Sequence, residues 1–213
     1  MPDINLRTAQ AALAFLGITP GLIDGLPGRL TRSALVQFQH RQGLPATGDL
    51  KAGAELTGHD SDLGRAIAAF AHVCSRSDAS AVAEEYQDLF IGLVRGELVP
   101  YGSYYLTGFL HEKPLAKLRQ DMARLGIERD PDVREPEDHI ASVCEMMAGL
   151  IDGTFGQPLS LQEQKAFFTT HIGSWARVFF RDLEIAKRSV LYATLGSVGS
   201  AFLDIEERAF VMV

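Results

Sequence analysis

The stretch Glu135-Pro136-Glu137-Asp138-His139 stands immediately before an apolar series with the spacing of one helix face. Proline suits the first position of a helix, where its missing N–H has no partner to lose. Carboxylates beside it suit the positive end of the helix dipole. The stretch therefore predicts a helix from residue 136 to about 151, and its acidic cluster is either a helix start or part of a binding site. The apolar series is Ile140, Val143, Cys144, Met147, Leu150 and Ile151.

A second unusual stretch lies upstream, Pro100-Tyr101-Gly102-Ser103-Tyr104-Tyr105-Leu106. It places three tyrosines beside a proline and a glycine. Tyrosine supplies a large contact area and a hydroxyl that needs a hydrogen-bond partner. The stretch is thus either an ordinary packed loop or an aromatic wall of a site.

The remaining chain predicts an all-α fold, a helical bundle, because its apolar residues recur with helical spacing and no run alternates as a strand does. Local signals mark the helix ends. Asp78 or Ser80 is placed to cap one helix, Gly126 to end the helix that starts at Pro114, and residues 160–163 to form a capping box. Gly173-Ser174 predicts an interruption. Residues 196–199 predict a close helix contact or a helix break rather than a phosphate-binding turn.

The N-terminal segment has a pattern of its own, with Gly- and Pro-rich turns between short helices predicted near 7–16, 30–41 and 50–56. Thr31 is placed to cap the second of these or to lie in its first turn. The junction falls near residues 59–62. We therefore expect two domains, a small helical module at 1–59 and a helical domain at 60–213.

Charge separates these two parts. Residues 1–59 carry five basic and four acidic groups, whereas residues 60–213 carry 15 and 23, a net charge of −8. An acidic domain repels nucleic acid and attracts a basic peptide. No apolar run approaches the roughly 20 residues of a membrane span, and no secretory signal is visible, so the cytoplasm is expected. Cys74 and Cys144 are expected to be buried reduced thiols.

Motifs for an enzyme are weak. The sequence contains no His-Glu-x-x-His, Cys-x-x-Cys or phosphate-loop lysine motif, and its six histidines are scattered. We therefore expect no enzymatic activity, no cofactor and no metal site. A hydrolase centred on Ser103 and His139 is a further hypothesis.

Four elements in order resemble the TorD/DmsD-type family of redox-enzyme maturation chaperones, over roughly residues 60–213. They are Glu85-Tyr86-Gln87-Asp88-Leu89-Phe90, then the Pro-Tyr-Gly-Ser segment, then the helix from Pro114-Leu115 to Leu125-Gly126-Ile127, and finally the Glu-Pro-Glu-Asp-His stretch. The resemblance implies an all-helical cytoplasmic chaperone. Such a chaperone binds the twin-arginine signal peptide of a molybdenum-cofactor enzyme, or its apo form, and delays export until the cofactor is loaded.

The resemblance also implies a signal-peptide site. Tyr101 and Tyr105 stand where many members have tryptophan. By the residues themselves, Glu137 and Asp138 suit arginine forks, Tyr101, Tyr105 and Leu89 suit an apolar trough, and His139 either orients Asp138 or caps a backbone group. The positions carried over are Tyr86, Leu89, Pro100, Tyr101, Ser103, Tyr105, Glu135, Pro136, Asp138 and His139.

Residues 6–56 are similar to a peptidoglycan-binding-like three-helix module, through an Asp-Gly turn, a Phe-Gln pair and a Gly-Leu-Pro-x-Thr-Gly ending. Such modules usually act outside the cytoplasm. The segment is therefore an accessory that has lost wall binding, a replacement for the N-terminal chaperone helices, or a mis-joined N-terminus. The alternative function is glycan binding with an accessory helical domain. The client enzyme stays open, and so does oligomeric state, with a homodimer as one option.

Overall fold

The computed structural model describes residues 28–41, 61–92, 95–129 and 133–212. Over these ranges the protein is all-α, as predicted, and contains no β-strand. An isolated antiparallel bridge joins Tyr101 to His139. The α-helices are α1 Arg29–Arg41, α2 Asp62–Cys74, α3 Ala79–Tyr86, α4 Gly102–Thr107, α5 Lys113–Leu125, α6 Ile140–Asp152, α7 Leu161–Phe168, α8 Ala176–Ile185 and α9 Leu191–Val211. Two π-helical segments, Gln87–Ile91 and Thr169–Gly173, follow α3 and α7 directly.

Most of the predicted helix ends are confirmed. The Asp78 side chain accepts the Ala81 N–H at the start of α3, and Ser160 and Glu163 form a reciprocal capping box before α7. Gly126 ends α5 with a φ of 70°, a left-handed conformation that favours glycine. Short-range hydrogen bonds set these boundaries, so the sequence pattern alone was sufficient to find them.

The start of α6 differs from the prediction. The helix begins at Ile140 rather than at Pro136, and His139 is its N-cap residue, with the ring accepting the Ala141 N–H. Pro136 lies in a turn, where its carbonyl accepts the His139 N–H. Glu137 and Asp138 therefore precede the helix instead of lining its first turn, which leaves their side chains free to reach other elements.

The core is formed mainly by α5 to α9 and the segments between them. Helix α9 packs against both α8 and α2. Gly196 and Gly199 permit this approach, since a Cβ at Gly199 would lie 2.4 Å from the Phe180 ring. The 196–199 stretch is thus a close helix contact within a continuous helix, the first of the two predicted possibilities.

Some of the remaining predictions are tested by the structure and others lie outside the described residues. Helix α1 confirms the helix expected near 30–41, with Thr31 in its first turn, whereas those near 7–16 and 50–56 lie outside the described residues. Cys74 and Cys144 are both free thiols, and burial raises the pKa of Cys144 to about 12. Gly173 ends a π-helical segment at the expected interruption. Within the described ranges, no helix is both long and apolar enough to cross a membrane.

Candidate functional site

The tyrosine stretch and the acidic stretch lie side by side. The Gly102 N–H donates to the Asp138 carbonyl at 2.9 Å, and the Ile140 N–H donates to the Pro100 carbonyl at 2.9 Å. These two bonds form a short antiparallel pair, which we call the junction, between residues 100–102 and 138–140. It places the first turns of α4 and α6 next to each other, although 35 residues separate Ser103 from Asp138.

Asp138 is the buried centre of the junction. Its side chain is directed to α4, where Oδ2 accepts the Ser103 N–H at 2.7 Å. The residue is only 3% exposed. Among the residues that the structure describes, its other oxygen, Oδ1, has no hydrogen-bond partner, and neither has the buried Ser103 Oγ. One carboxylate oxygen thus caps α4, and the other is buried without a partner among the described residues.

Glu137 is engaged within the chain. Its Oε2 accepts from Arg119 Nε at 3.0 Å and Nη2 at 2.8 Å, and Arg129 lies 3.7 Å from Oε1. Burial acts to raise the pKa of Glu137, but the hydrogen bond and charge of Arg119, with help from Arg129, outweigh it and hold the pKa below its usual value. The carboxylate therefore already has arginine partners on α5 and beyond.

Tyr101, Glu135 and His139 form the outer side of the junction. The Tyr101 hydroxyl donates to Glu135, and its ring packs edge-on against His139 with 5.1 Å between centroids. Burial and the Glu135 hydrogen bond raise the pKa of Tyr101, so the phenol stays a donor. Burial lowers the pKa of His139 against the opposing charges of Glu135 and Asp138, which suits its role as a neutral acceptor for the Ala141 N–H at 3.2 Å.

Tyr105 belongs to the inner side. Its ring stacks on Trp175 with centroids 5.6 Å apart and planes inclined by 29°, and its hydroxyl donates to Asp182 at 3.0 Å. Tyr104 takes a different direction, because Arg95 lies 4.9 Å over its ring and bonds its hydroxyl. The hydroxyls of the three tyrosines therefore bond three different partners.

The residues of the upstream motif Glu85-Tyr86-Gln87-Asp88-Leu89-Phe90 differ in how close they lie to the junction. Leu89 is fully buried in the core, and its carbonyl accepts the Leu98 N–H at 2.8 Å. Tyr86 is 46% exposed, packs on Phe90 and contributes to the raised pKa of Tyr101. Tyr86 is therefore near the outer side of the junction, whereas Leu89 supports the structure from inside. Pro100 is buried and Pro136 is half-buried.

The Ser103–His139 hydrolase hypothesis gains no geometric support. Ser103 Oγ is fully buried and without a partner in the described ranges, and the Nδ1 of His139 is occupied by a backbone N–H. These two side chains form no nucleophile–base hydrogen bond there. No cluster of three or more metal-ligating side chains occurs in the described part of the chain.

A pocket of about 200 Å³ opens beside the junction, and we call it the inner pocket. Its walls come from α4, α5, α6, the second π-helical segment and Trp175, and Asp138 lies in it. Sequence reasoning missed most of these residues, because they come from separate elements and share no motif. The one available signal was the presence of His171 and the single tryptophan in one short stretch. Lining residues beyond those of the predicted site include Leu106, Lys117, Leu118, Thr170, His171 and Trp175.

Fold and junction together define an all-helical protein in which a short backbone pairing joins the tyrosine stretch to the acidic stretch. The family model for the nitrate reductase delta subunit matches residues 57–181, more than half of the chain, and the chain belongs to that family. The predicted family relationship is confirmed. A model for a putative peptidoglycan binding domain matches residues 3–51.

Curated relatives carry the name "Chaperone protein TorD". The one from Vibrio cholerae serotype O1 (strain ATCC 39541 / Classical Ogawa 395 / O395) is 28% identical over 137 residues, 61% of this chain and 62% of its own length. Those from Vibrio atlanticus (strain LGP32) and Psychrobacter sp. (strain PRwf-1) are 29% and 24% identical and cover 62% and 70% of this chain, or 66% and 70% of their own lengths. The chain thus spans about 62% of the first of these relatives. Their names describe chaperones and not enzymes, in agreement with the non-enzymatic prediction.

Proposed function

We propose that this protein is a cytoplasmic chaperone for a molybdenum-cofactor oxidoreductase, and that it binds the enzyme's twin-arginine signal peptide, its apo form, or both. Family membership and the chaperone names of the relatives support the class of activity. The observation that carries the proposed peptide site is the junction, which brings the tyrosine and acidic stretches together.

We propose that the residues with exposed surface at the junction are the ones that meet the peptide. Tyr86, Tyr101, Glu135 and His139 surround the outer side of the junction and retain exposed surface. An exposed carboxylate beside aromatic rings is suited to an arginine-bearing segment. Leu89, Pro100, Ser103 and Tyr105 support this surface from below, and Glu137 is satisfied by Arg119.

Calorimetry with the full chain tests the peptide proposal. A synthetic peptide with a paired-arginine motif and a following apolar stretch should bind, and binding should weaken as salt rises because exposed charges are screened. A control peptide keeps the arginines and replaces the apolar stretch by glycine and serine. Absence of heat at low salt, or equal binding of the two peptides, would contradict the proposal.

The client class needs a separate measurement. The tagged full chain should co-purify from native extract with an oxidoreductase that contains molybdenum cofactor, identified by mass. Dimethylsulfoxide-, trimethylamine oxide- and formate-type enzymes all fit the proposal. Size-exclusion chromatography with light scattering would decide between a monomer and the proposed homodimer option.

Glycan binding is the second candidate, because a putative peptidoglycan binding domain model matches residues 3–51. We propose that the chain divides into this module and a chaperone domain near residues 59–62. Sedimentation of the full chain with purified peptidoglycan tests the candidate. Retention on peptidoglycan without any peptide binding would favour the glycan function over the chaperone function.

A further inference from the structure

We infer that Glu85 is a positioning residue for the peptide surface: it holds the start of α9 so that the Tyr192 ring forms a further aromatic wall beside Tyr86. The inference rests on the proposed function in one respect, because this wall is taken to receive the apolar stretch of the bound peptide. It gives roles to Glu85 and Tyr192, neither of which is among the positions carried over from the family resemblance.

Glu85 replaces a missing cap at the start of α9. Val190, the N-cap residue, makes no side-chain cap hydrogen bond, and valine has no side-chain acceptor for the first N–H groups of a helix. The Glu85 carboxylate supplies that acceptor. Its Oε1 accepts the N–H groups of Val190 and Tyr192, each at 2.8 Å, and its Oε2 accepts the Leu191 N–H at 3.1 Å. A negative charge at this place is also stabilised by the positive end of the helix dipole.

The start of α9 meets α3 and the segment after it through side chains. The body of α9 packs on α8 and α2 instead. Arg188 pairs with Asp88 at 2.7 Å, and Glu97 accepts the Lys187 N–H at 2.9 Å. These two contacts hold the connection that precedes α9, and both are exposed. Glu85 is half-buried and bonds the first turn of α9 itself, so it determines where the backbone of that turn lies.

The backbone held by Glu85 places the Tyr192 ring in an aromatic cluster. The Tyr192 centroid lies 6.3 Å from that of Tyr86 and 5.3 Å from that of Phe90, the second pair being edge-on at 78°. Tyr86 is 46% exposed and helps to raise the pKa of Tyr101, so the cluster is continuous with the outer side of the junction. An apolar stretch next to the arginines of a bound peptide would then lie against these rings.

Two peptides distinguish positioning from a purely structural cap. Both carry the paired arginines; one continues with an apolar stretch and the other with glycine and serine. A cap that only stabilises the fold affects both peptides alike. In the E85A variant of the full chain, calorimetry should show roughly 5- to 10-fold weaker binding of the apolar peptide, as expected for the loss of one aromatic contact. Binding of the Gly/Ser peptide should be unchanged.

Matched variants test whether Glu85 acts through Tyr192. E84A removes an exposed carboxylate from the neighbouring position of α3 and should leave the binding of both peptides unchanged. Y192A should lose the preference for the apolar peptide as E85A does, whereas Y192F keeps the ring and should retain it. Residues that act through one contact give non-additive losses. The E85A/Y192A double variant should therefore lose no more preference than either single variant.

The outcomes separate the positioning role from the proposed function. Circular dichroism establishes that each variant is folded; if E85A is not, E85Q keeps one oxygen for the N–H groups and should show a smaller loss of the same preference. An unchanged preference in the folded Glu85 variant, equal weakening of the two peptides, or additive losses in the double variant would overturn the positioning role and leave the proposed function standing. If the wild-type chain binds neither peptide, the proposed function fails and the positioning role fails with it.

Discussion

The outer and inner sides of the junction use similar residues for different purposes. On the outer side, Tyr101 donates to the exposed Glu135 and packs edge-on against His139. On the inner side, Tyr105 stacks on the buried Trp175 and donates to Asp182. Tyr101 and Tyr105 are thus only four positions apart at one helix start, yet the first lies at a surface available to a partner and the second packs against the core. Substitutions on the inner side should therefore mainly lower the free energy of unfolding. Substitutions on the outer side should mainly weaken binding.

The largest expected effect is on the inner side. Trp175 is 2% exposed, packs on Tyr105 and Phe179, and donates to the His171 carbonyl at 2.8 Å. Trp175→Ala should lower the free energy of unfolding by about 3–5 kcal/mol, because it leaves a cavity in the core. Urea denaturation followed by circular dichroism would measure this. A loss below 1 kcal/mol would mean that the two sides of the junction do not differ as described.

Asp138 gives the next largest effect, and two substitutions separate its roles. Asp138→Ala leaves the buried Ser103 N–H without an acceptor and should cost about 1–3 kcal/mol of unfolding free energy. Asp138→Asn keeps an oxygen for that N–H and should cost less. Denaturation of both variants tests this order. The reverse order would show that the charge, not the hydrogen bond, stabilises the junction.

The loss of stability expected for Asp138→Ala differs from what a simple binding role for Asp138 would give. From the sequence, an acidic residue beside a helix start is an exposed ligand or a helix-dipole partner. In the structure its Oδ2 caps a different helix, which no local pattern encodes. Alanine at this position is therefore a poor binding test, and asparagine is the sharper one.

The same contrast decides how much of the molecule was readable from its sequence. Helix periods and caps such as Ser160 and Gly126 depend on neighbours within a few residues, so they were predicted correctly. The pairing of the two stretches was implied by the family resemblance. The pairing of Glu137 with Arg119 crosses 18 residues, and the inner pocket needs several separate elements. Tertiary packing sets these contacts, and periodicity carries no information about them.

Glu137 should make stability depend on pH. Its folded pKa is lowered from 4.5, since the Arg119 and Arg129 contacts outweigh burial. Its contribution is therefore present above the unfolded pKa and is lost as pH falls through the folded pKa. Glu137→Gln should cost about 1 kcal/mol at pH 7, with Arg119 half-exposed and its pairing screened by solvent. The difference from wild type should shrink between pH 5 and pH 3, as measured by urea denaturation; a constant difference would rule out the ion pair as its source.

The smallest effect on stability is expected for Tyr101→Phe on the outer side. The change removes only the hydroxyl bond to the exposed Glu135 and keeps the ring against His139. Exposed hydrogen bonds are exchanged for bonds to water, so the free energy of unfolding should change by about 0.5 kcal/mol or less. If the proposed peptide site is correct, binding should respond more, because Glu135 loses the phenol that holds its carboxylate. Calorimetry should show several-fold weaker peptide binding, whereas Tyr104→Phe, which loses a bond to Arg95 instead, serves as the matched control. Equal losses in the two variants would show that the outer side of the junction has no special part in recognition.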